Sequence, residues 1–234
     1  MKIFCGTSGF SYKEWKGNFY PEKHPDKDML SYYATKLTAV EINNTFYRIP
    51  KRIVFESWLQ QVNSDFKFSI KASRKITHFQ RLKETDDTSE YLFRNVRSLG
   101  QSLGCILFQL PPNLKKDSER LKKFLDVIPQ EFRAAFEFRH ESWYDDEIYK
   151  LLQDRNSALV ITETDEAPEA EFIKTADWTY LRLRRTQYAD DELKTRAEKI
   201  KSQNWNDIFV FFKHEDEGTG PALAGKFIDI TKKG

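Results

Sequence analysis

The chain has 234 residues, of which 39% are hydrophobic and 32% are charged, a composition typical of a globular domain with a strongly charged surface. No apolar stretch reaches the roughly 18 residues of a membrane-spanning helix, so the sequence predicts no membrane association. The 38 basic and 36 acidic residues give a formal net charge of +2. This near balance disfavours non-specific nucleic-acid binding, which usually requires a basic excess.

The amino terminus and the cysteines both indicate a reducing compartment. Met1 to Gly6 leads directly into an apolar run and lacks the composition of a secretion signal, so we expect a cytoplasmic protein. Cys5 and Cys105 are the only cysteines, and both lie in apolar runs. This pattern predicts buried, reduced thiols, because a zinc site needs closer or more numerous ligands.

Eight short apolar runs predict β-strands. Their starts are spaced by 21 to 38 residues, which leaves room for a crossover helix and is too long for a hairpin turn. The runs are almost continuously apolar, as expected for strands that are covered on both faces. The predicted strands are Lys2–Cys5, Ala39–Ile42, Lys67–Ile70, Cys105–Gln109, Ala134–Phe138, Ala158–Ile161, Thr179–Leu183 and Ile208–Phe212.

Helix-like stretches with capping residues and helical apolar periodicity separate most of these strands. Only the stretch between the sixth and seventh strands, Thr164 to Asp177, lacks that pattern, and it is predicted to be mostly loop. The predicted helices are Lys27–Lys36, Lys51–Val62, Thr88–Leu99, Ser118–Ile128, Asp145–Gln153, Asp190–Lys201 and Gly220–Ile230.

The repeated alternation of strand and helix favours a closed parallel (β/α)8 barrel, a TIM barrel, surrounded by outer helices. No linker or shift in composition divides the chain, so we predict a single domain over residues 1–234. An open doubly wound sheet is the alternative. The chain contains neither the G-x-G-x-x-G loop nor the G-x-x-x-x-G-K-[ST] loop, which weakens a nucleotide-binding interpretation.

Five sequence blocks are distinctive: Gly6–Trp15 with the following Phe19–Pro21, Val40–Tyr47, Phe66–Lys71, Leu107–Pro112 and Glu137–Trp143. Together they resemble the domain-of-unknown-function 72 (DUF72) family, also called YecE-like, from Met1 to about Phe212. The resemblance implies a TIM-barrel fold and no particular activity. It weakens late in the chain, where Tyr180–Arg184 carries arginine in place of a histidine of many relatives. The residues after Phe212 also lack the Asn-Asn pair of relatives, which indicates a divergent branch.

Functional residues of (β/α)8 barrels gather at the carboxyl-terminal ends of the strands. Polar and aromatic residues occupy most of those predicted ends in this chain, which predicts a shared pocket. The candidate catalytic residues are Glu41, Glu137 and His140. The candidate ligand-binding residues are Thr7, Ser8, Asn43, Tyr47, Lys71, Gln109, Arg139, Trp143, Arg182, Arg184 and Lys213.

Glu41 and Glu137 form the most informative pair, because each is an acid inside an apolar strand. Two facing carboxyl groups can serve as acid and base when their surroundings push their pKa values apart. They could equally bind a divalent metal together with His140, although no residue set has convincing metal-ligand spacing and we predict no metal site. The structural alternative is that each acid pairs with an arginine or a lysine.

The basic candidates predict a small anionic ligand, such as a sugar phosphate or a carboxylate, because guanidinium groups bind both in a fork. Arg182 and Arg184 share strand parity and should point to the same side. Their alternative role is structural pairing with the two glutamates. His214 is a second histidine candidate, whereas His24 and His78 lie in predicted loops and are not expected to be essential.

Three functional hypotheses remain open. The first is an enzyme with isomerase, lyase or hydrolase chemistry, the second a nucleic-acid-binding protein or nuclease, and the third a non-catalytic metabolite sensor. The sequence identifies no cofactor and no oligomeric state. Aromatic residues flank the predicted mouth and would either stack on a ligand or seal the barrel: Phe10, Tyr12, Trp15, Phe46, Tyr47 and Trp143.

Overall fold

The structure, a computed structural model, describes residues 1–168, 171–213 and 218–233. Its eight parallel strands pair in chain order, and the last strand pairs with the first, so the sheet closes into a barrel. This confirms the predicted (β/α)8 TIM barrel. The strands are β1 Lys2–Ser8, β2 Ala39–Ile42, β3 Lys67–Lys71, β4 Leu103–Gln109, β5 Ala134–Glu137, β6 Ala158–Glu163, β7 Trp178–Leu183 and β8 Asp207–Phe212.

Helices surround this barrel, and all the predicted ones are present with their ends shifted by a few residues. Residues 164–168 and 171–177, in the predicted loop, form neither helix nor strand. Within the described ranges, no helix combines the length and the apolarity needed to cross a bilayer. The helices are α1 Met29–Lys36, α2 Arg52–Leu59, α3 Asp86–Val96, α4 Ser118–Val127, α5 Asp146–Asp154, α6 Asp190–Lys201 and α7 Thr219–Lys233.

Several strands extend further than predicted, toward residues whose polarity had suggested an end. β1 continues to Ser8 and β6 continues to Glu163. Polar residues can continue a strand when they find partners, and the backbone N–H of Thr7 donates to the Tyr33 hydroxyl (2.8 Å). β5, by contrast, ends at Glu137, one residue before the predicted end.

Two layers of apolar side chains hold the barrel, one on each side of the sheet. Neighbouring residues of a strand point to opposite faces, so each apolar run supplies both layers. The outer layer packs the strands against the helices. The inner layer fills the barrel up to the level of Tyr180 and Phe211, and only the inward positions beyond that level carry mainly polar side chains. The packing therefore leaves one end of the barrel for a polar site.

The two cysteines are buried and unpaired, as predicted. Cys5 faces the helices, and its thiol lies 3.6 Å from the carbonyl oxygen of Ala224. Cys105 lies inside the barrel, 3.2 Å from the Ser69 hydroxyl. Burial raises the pKa of both thiols, that of Cys105 to about 12, so both stay protonated and unreactive at neutral pH.

Candidate active site

Arg182, on β7, lies at the centre of the polar end of the barrel. Its Nη2 donates to Oε1 of Glu41 on β2 (2.8 Å), and its Nη1 donates to Oε2 of Glu137 on β5 (2.6 Å). The three side chains are at most 5% exposed. Because a buried charge is costly unless it is paired, one guanidinium here stabilises two carboxylates. Both glutamates are thus paired with arginine, which is the structural alternative considered above.

Glu41 accepts hydrogen bonds from three further side chains. The Ser8 hydroxyl (2.7 Å) and the Asn43 amide (3.0 Å) donate to Oε1, and the Tyr180 hydroxyl (2.6 Å) donates to Oε2. Burial by itself raises the pKa of Glu41, but the charge of Arg182 and these hydrogen bonds outweigh it and lower the pKa to about 2. Glu41 is therefore ionised at neutral pH, and its two oxygens together accept four hydrogen bonds.

Glu137 is less saturated. Its Oε2 accepts from Arg182 and from the Gln109 amide (2.8 Å), whereas its Oε1 accepts only a longer hydrogen bond from Arg139 Nε (3.3 Å). Burial raises the pKa of Glu137, and the charges of the two arginines with these hydrogen bonds bring it below its usual range. Its Oε1 consequently keeps capacity to accept a further proton donor.

The pKa values of Glu41 and Glu137 are both lowered. The sequence had suggested that their surroundings could push the two values apart, so that one carboxyl group would be an acid and the other a base. Both values are lowered because one arginine serves both groups, so each finds a cation at hydrogen-bonding distance. Both carboxyls are ionised at neutral pH, so neither is prepared to donate a proton. The geometry is compatible with a base and not with an acid–base pair.

Two cations at the mouth have no carboxylate partner among the described residues. Lys71, the last residue of β3, places Nζ 4.4 Å from the centre of the Phe46 ring. Burial and the charge of Arg182 lower the pKa of Lys71 to about 8, although Glu41 opposes this effect. Burial and Arg182 likewise lower the pKa of Arg184, which follows the end of β7. Both pKa values are lowered because burial removes water from the charged group and because the positive charge of Arg182 repels it.

Among the residues that the structure describes, three buried polar atoms of the site have no hydrogen-bond partner. They are Nε of Arg182, Oδ1 of Asn43 and Oγ1 of Thr162. Thr162 is the neighbour of Arg182 in the pairing of β6 with β7, so their side chains share a level on the inner face. Buried donors and acceptors are normally satisfied, and water or a ligand is the usual partner where protein groups are absent.

Several predicted site residues lie outside this network. Thr7 points to α1, where its hydroxyl contacts that of Tyr33 (2.8 Å), because it alternates with the inward-facing Ser8. Trp143 is fully buried, stacks on Phe138 at 4.7 Å and donates its indole N–H to a backbone carbonyl (2.6 Å). Thr7 and Trp143 therefore support the surrounding loops, and no contact links them to the carboxylates.

Three other candidates lie at the rim. Nδ1 of His140 accepts a hydrogen bond from the backbone N–H of Ser142 (3.2 Å) and so caps a short 3-10 turn. Tyr47 is 69% exposed. Lys213 follows β8, and its backbone N–H donates to the carbonyl of Leu183. His214 lies outside the described residues.

The sequence interpretation missed three residues of the site. Tyr180 was placed in a predicted strand without a role, although an inward tyrosine two positions before Arg182 was a usable signal. Thr162 follows an apolar run and carried no signal of its own. His78 was placed in a loop, but it lies in a π-helical turn, Lys75–Phe79, where its ring meets that of Phe46 at 5.0 Å. A π-helical turn often marks a functional site, but sequence does not reveal it.

The described residues contain no group of three or more histidine, cysteine, aspartate or glutamate side chains arranged to hold a metal ion. Glu41 and Glu137 use their oxygens for Arg182, and His140 uses Nδ1 for its cap. The arrangement with His140 as a shared metal ligand, considered from the sequence, is therefore not present in this geometry.

A cavity of about 540 Å³ opens at the opposite, amino-terminal end of the barrel. Among its lining residues are Lys2, Lys67, Arg133 and Asp207, which lie at or before the first residues of their strands. In enzymes with this fold, that end serves stability and the carboxyl-terminal end carries the chemistry. The polar group around Arg182 is therefore the stronger candidate, despite the size of the cavity.

The family model described as "Protein of unknown function DUF72" matches residues 4–234. The UPF0759 protein YecE of Escherichia coli K12 is 32% identical over 116 residues, which cover 49% of this chain and 43% of that protein. The UPF0759 protein YunF of Bacillus subtilis 168 is 27% identical over 156 residues, which cover 63% of this chain and 54% of that protein. The matched part of the chain thus spans about half the length of these relatives.

Two solved structures are similar over almost the whole chain. A DUF72 family protein from Thermotoga maritima is 28% identical, with a TM-score of 0.86, and the match covers 99% of this chain and 100% of that one. A DUF72 family protein from Enterococcus faecalis is 18% identical, with a TM-score of 0.83 and coverage of 98% and 95%. At that lower identity, the second likeness supports the fold alone.

Proposed function

This chain belongs to the DUF72 family of proteins of unknown function, and we propose that the mouth of its barrel is the active site of an enzyme that acts on a small phosphorylated or carboxylated substrate. The observation that carries the proposal is the charge balance at the mouth. Two carboxylates face four cations there: Glu41 and Glu137, with Lys71, Arg139, Arg182 and Arg184.

The excess positive charge favours an anion. Arg182 is committed to both glutamates, and Arg139 is 42% exposed with only a 3.3 Å contact to Glu137. Lys71 and Arg184 have lowered pKa values because they are partly buried beside Arg182, an arrangement that is unfavourable while the site holds no anion. A phosphate or carboxylate would relieve this repulsion and accept forked hydrogen bonds from the arginines.

The glutamates then have different roles. Glu41 accepts hydrogen bonds from four donors and holds Arg182 in place. Glu137 serves as the general base through Oε1, which keeps acceptor capacity because its hydrogen bond from the exposed Arg139 is long, at 3.3 Å. The isomerase and lyase alternatives fit a site with a base and several cations that stabilise developing negative charge.

Anion titration tests the binding half of the proposal. Inorganic phosphate should raise the melting temperature at constant ionic strength and bind with a measurable heat, because it stabilises only the folded state. Arg184→Gln should weaken phosphate binding about tenfold or more, since it removes one charge-assisted contact. Arg185→Gln is the matched control, because its guanidinium pairs with Glu192 (2.7 Å) away from the mouth. Equal affinity in the two variants would refute the assignment of the site.

Turnover tests the catalytic half. A panel of sugar phosphates and keto acids is screened with the native protein, and any activity found should be abolished in Glu137→Gln. The control Glu131→Gln changes an exposed acid at the other end of the barrel and should leave the activity unchanged. Full activity in Glu137→Gln would remove Glu137 from catalysis, and phosphate binding without any turnover would favour the metabolite-sensor hypothesis.

Binding of single-stranded nucleic acid is a second candidate function, favoured by a surface beside the mouth. Tyr47 and Phe79 are 69% and 68% exposed, and the Arg74 guanidinium lies 5.3 Å and 5.2 Å from their rings. Exposed rings interleaved with arginine stack on bases and bind phosphates. Binding of a fluorescent oligothymidylate should then weaken steeply with salt and with Arg74→Ala, but not with the distant Arg97→Ala. No retention at low salt would exclude this candidate.

A further inference from the structure

We propose that Lys71 is the nucleophile of this site and that the substrate is an anion carrying a carbonyl group, which Lys71 binds covalently as a protonated imine. The inference rests on the proposed function, because Arg139 and Arg184 hold the anionic part of the same substrate. It adds a covalent step and narrows the substrate class to keto acids, aldehydic acids and their phosphorylated counterparts.

The position of Lys71 is the first support. It is the last residue of β3 and shares strand parity with Ser69, whose hydroxyl contacts Cys105 inside the barrel, so its side chain enters the mouth from the wall. Its backbone carbonyl accepts a hydrogen bond from the Thr45 hydroxyl (2.7 Å), which ties the strand end to the preceding loop. A nucleophile mounted on a strand end is held more firmly than one on a free loop.

The surroundings of the amine are the second support. Nζ lies over the Phe46 ring, and no carboxylate of the described residues lies within ion-pairing distance of it. The two nearby glutamates are already engaged by Arg182. Burial and neighbouring positive charge are the two conditions that lower the pKa of a lysine and activate it toward carbonyl groups. With a pKa of about 8, roughly a tenth of Lys71 is the free amine at pH 7.

The chemistry follows from a neutral amine beside cations. The nitrogen lone pair attacks the carbonyl carbon, and the C=O π electrons move to oxygen, which takes a proton to give a carbinolamine. Loss of that hydroxyl with a proton as water leaves a C=N⁺ bond, so one water is released for each imine formed. The iminium then accepts the electron pair of a neighbouring C–H or C–C bond when that bond breaks; the proton of a C–H bond passes to Glu137, and the carbon fragment of a C–C bond leaves as a carbonyl compound or carbon dioxide. Protonation of the resulting enamine restores the iminium, and water hydrolyses it to return the amine.

His78 is placed to move the protons of this step. Its ring meets the Phe46 ring at nearly a right angle at 5.0 Å, and Nζ of Lys71 lies 4.4 Å from the centre of the same Phe46 ring. Burial and the charges of Lys71 and Arg139 lower the pKa of His78, so the imidazole is neutral at pH 7. Nδ1 lies 2.9 Å from the Thr77 hydroxyl, which fixes the ring orientation. A neutral, oriented imidazole can take a proton from the attacking amine and return it to the departing oxygen.

Reductive trapping tests the proposal. The native protein is incubated with glyoxylate and sodium cyanoborohydride at pH 7, and the modified lysines are located by peptide mass spectrometry as carboxymethyl adducts. Lys71 should be modified at least about tenfold faster than Lys75, an exposed lysine in the same segment, because the pKa of Lys71 is lowered to about 8 and neighbouring arginines hold the carboxylate of glyoxylate. Inorganic phosphate should slow the modification of Lys71 and leave that of Lys75 unchanged.

Two variants and a neutral probe separate the outcomes. Lys71→Arg keeps the charge and should lose the fast adduct, whereas Lys75→Arg should keep it; equal melting temperatures exclude misfolding as the cause. Acetaldehyde, which lacks the carboxylate, should modify Lys71 more slowly than glyoxylate does. If phosphate binds but Lys71 reacts no faster than Lys75, imine formation at Lys71 is refuted, whereas the proposed anion-binding site is still supported. If Lys71 reacts equally fast with both probes and phosphate has no effect, the anion site fails and the proposal fails with it.

The pH dependence provides an independent check. The rate of modification should rise about fivefold from pH 7 to pH 8 and level off above pH 9 at about ten times the rate at pH 7, since it follows the free amine of Lys71. The charged or titratable groups that act on this amine are Arg182, Glu41, Glu137, Arg139 and His78. A profile that keeps rising through pH 10 would show an ordinary lysine and would overturn the proposal.

Discussion

Replacing Arg182 with methionine should destabilise the barrel by roughly 3–5 kcal/mol at pH 7, because it leaves Glu41 and Glu137 buried without their shared cation. The structure supports this magnitude independently. The pKa of Glu41 falls from 4.5 to about 2 on folding, and at about 1.4 kcal/mol per pH unit this corresponds to roughly 3–4 kcal/mol of stability at neutral pH. Arg182 is the largest of the interactions that lower it.

The sign of the pH dependence should also reverse. In the native protein, the lowered pKa of Glu41 contributes stability above pH 4.5, and that contribution disappears as the pH falls toward 2. In Arg182→Met, burial dominates and raises the pKa values of both glutamates above their unfolded value. The folded variant then binds more protons than the unfolded chain, so its stability should increase as the pH is lowered from 7 to 5.

Urea denaturation at pH 5, 6 and 7 measures both effects as free energies of unfolding. Arg97→Met is the control, because Arg97 forms an exposed ion pair with Glu131 and should cost less than about 1 kcal/mol without a pH trend. Adding Glu41→Gln to Arg182→Met should restore part of the lost stability. A stability of Arg182→Met within about 1 kcal/mol of the native value, with the same pH dependence, would refute this account of the network.

Three further predictions follow from single contacts. Tyr180→Phe removes the 2.6 Å hydrogen bond to Glu41, which should cost about 1.5–3 kcal/mol and move acid unfolding to higher pH; an unchanged acid midpoint would contradict the assigned cause of the pKa shift. Cys5 and Cys105 should both resist a thiol reagent in the native protein at pH 8 and react in denaturant, and fast native labelling would disprove their burial. Trp143→Phe should lower stability by about 1–3 kcal/mol, measured by denaturation, while phosphate affinity stays the same; a matching loss of affinity would place Trp143 in the site.

The local sequence patterns predicted the barrel well. Two-sided burial makes each strand almost continuously apolar, and the intervals between strands leave room for little except a helix, so the order of elements was readable without tertiary information. The strand ends were less certain, because Ser8 and Glu163 continue their strands by finding partners that the sequence does not show.

The candidate site likewise has some features that can be read from the sequence and others that cannot. The charged strand ends are visible in the sequence, since Glu41, Glu137 and Arg182 interrupt apolar runs whatever the register of the barrel. The pairing of one arginine with both acids depends on the folded barrel, because Glu41 and Glu137 lie 141 and 45 residues away from Arg182 along the chain. Barrel closure brings the two glutamates within hydrogen-bonding distance of Arg182. Because electrostatic interactions are strong at short distance and low dielectric, this proximity sets the pKa values of both glutamates. A local sequence pattern carries no information about that proximity.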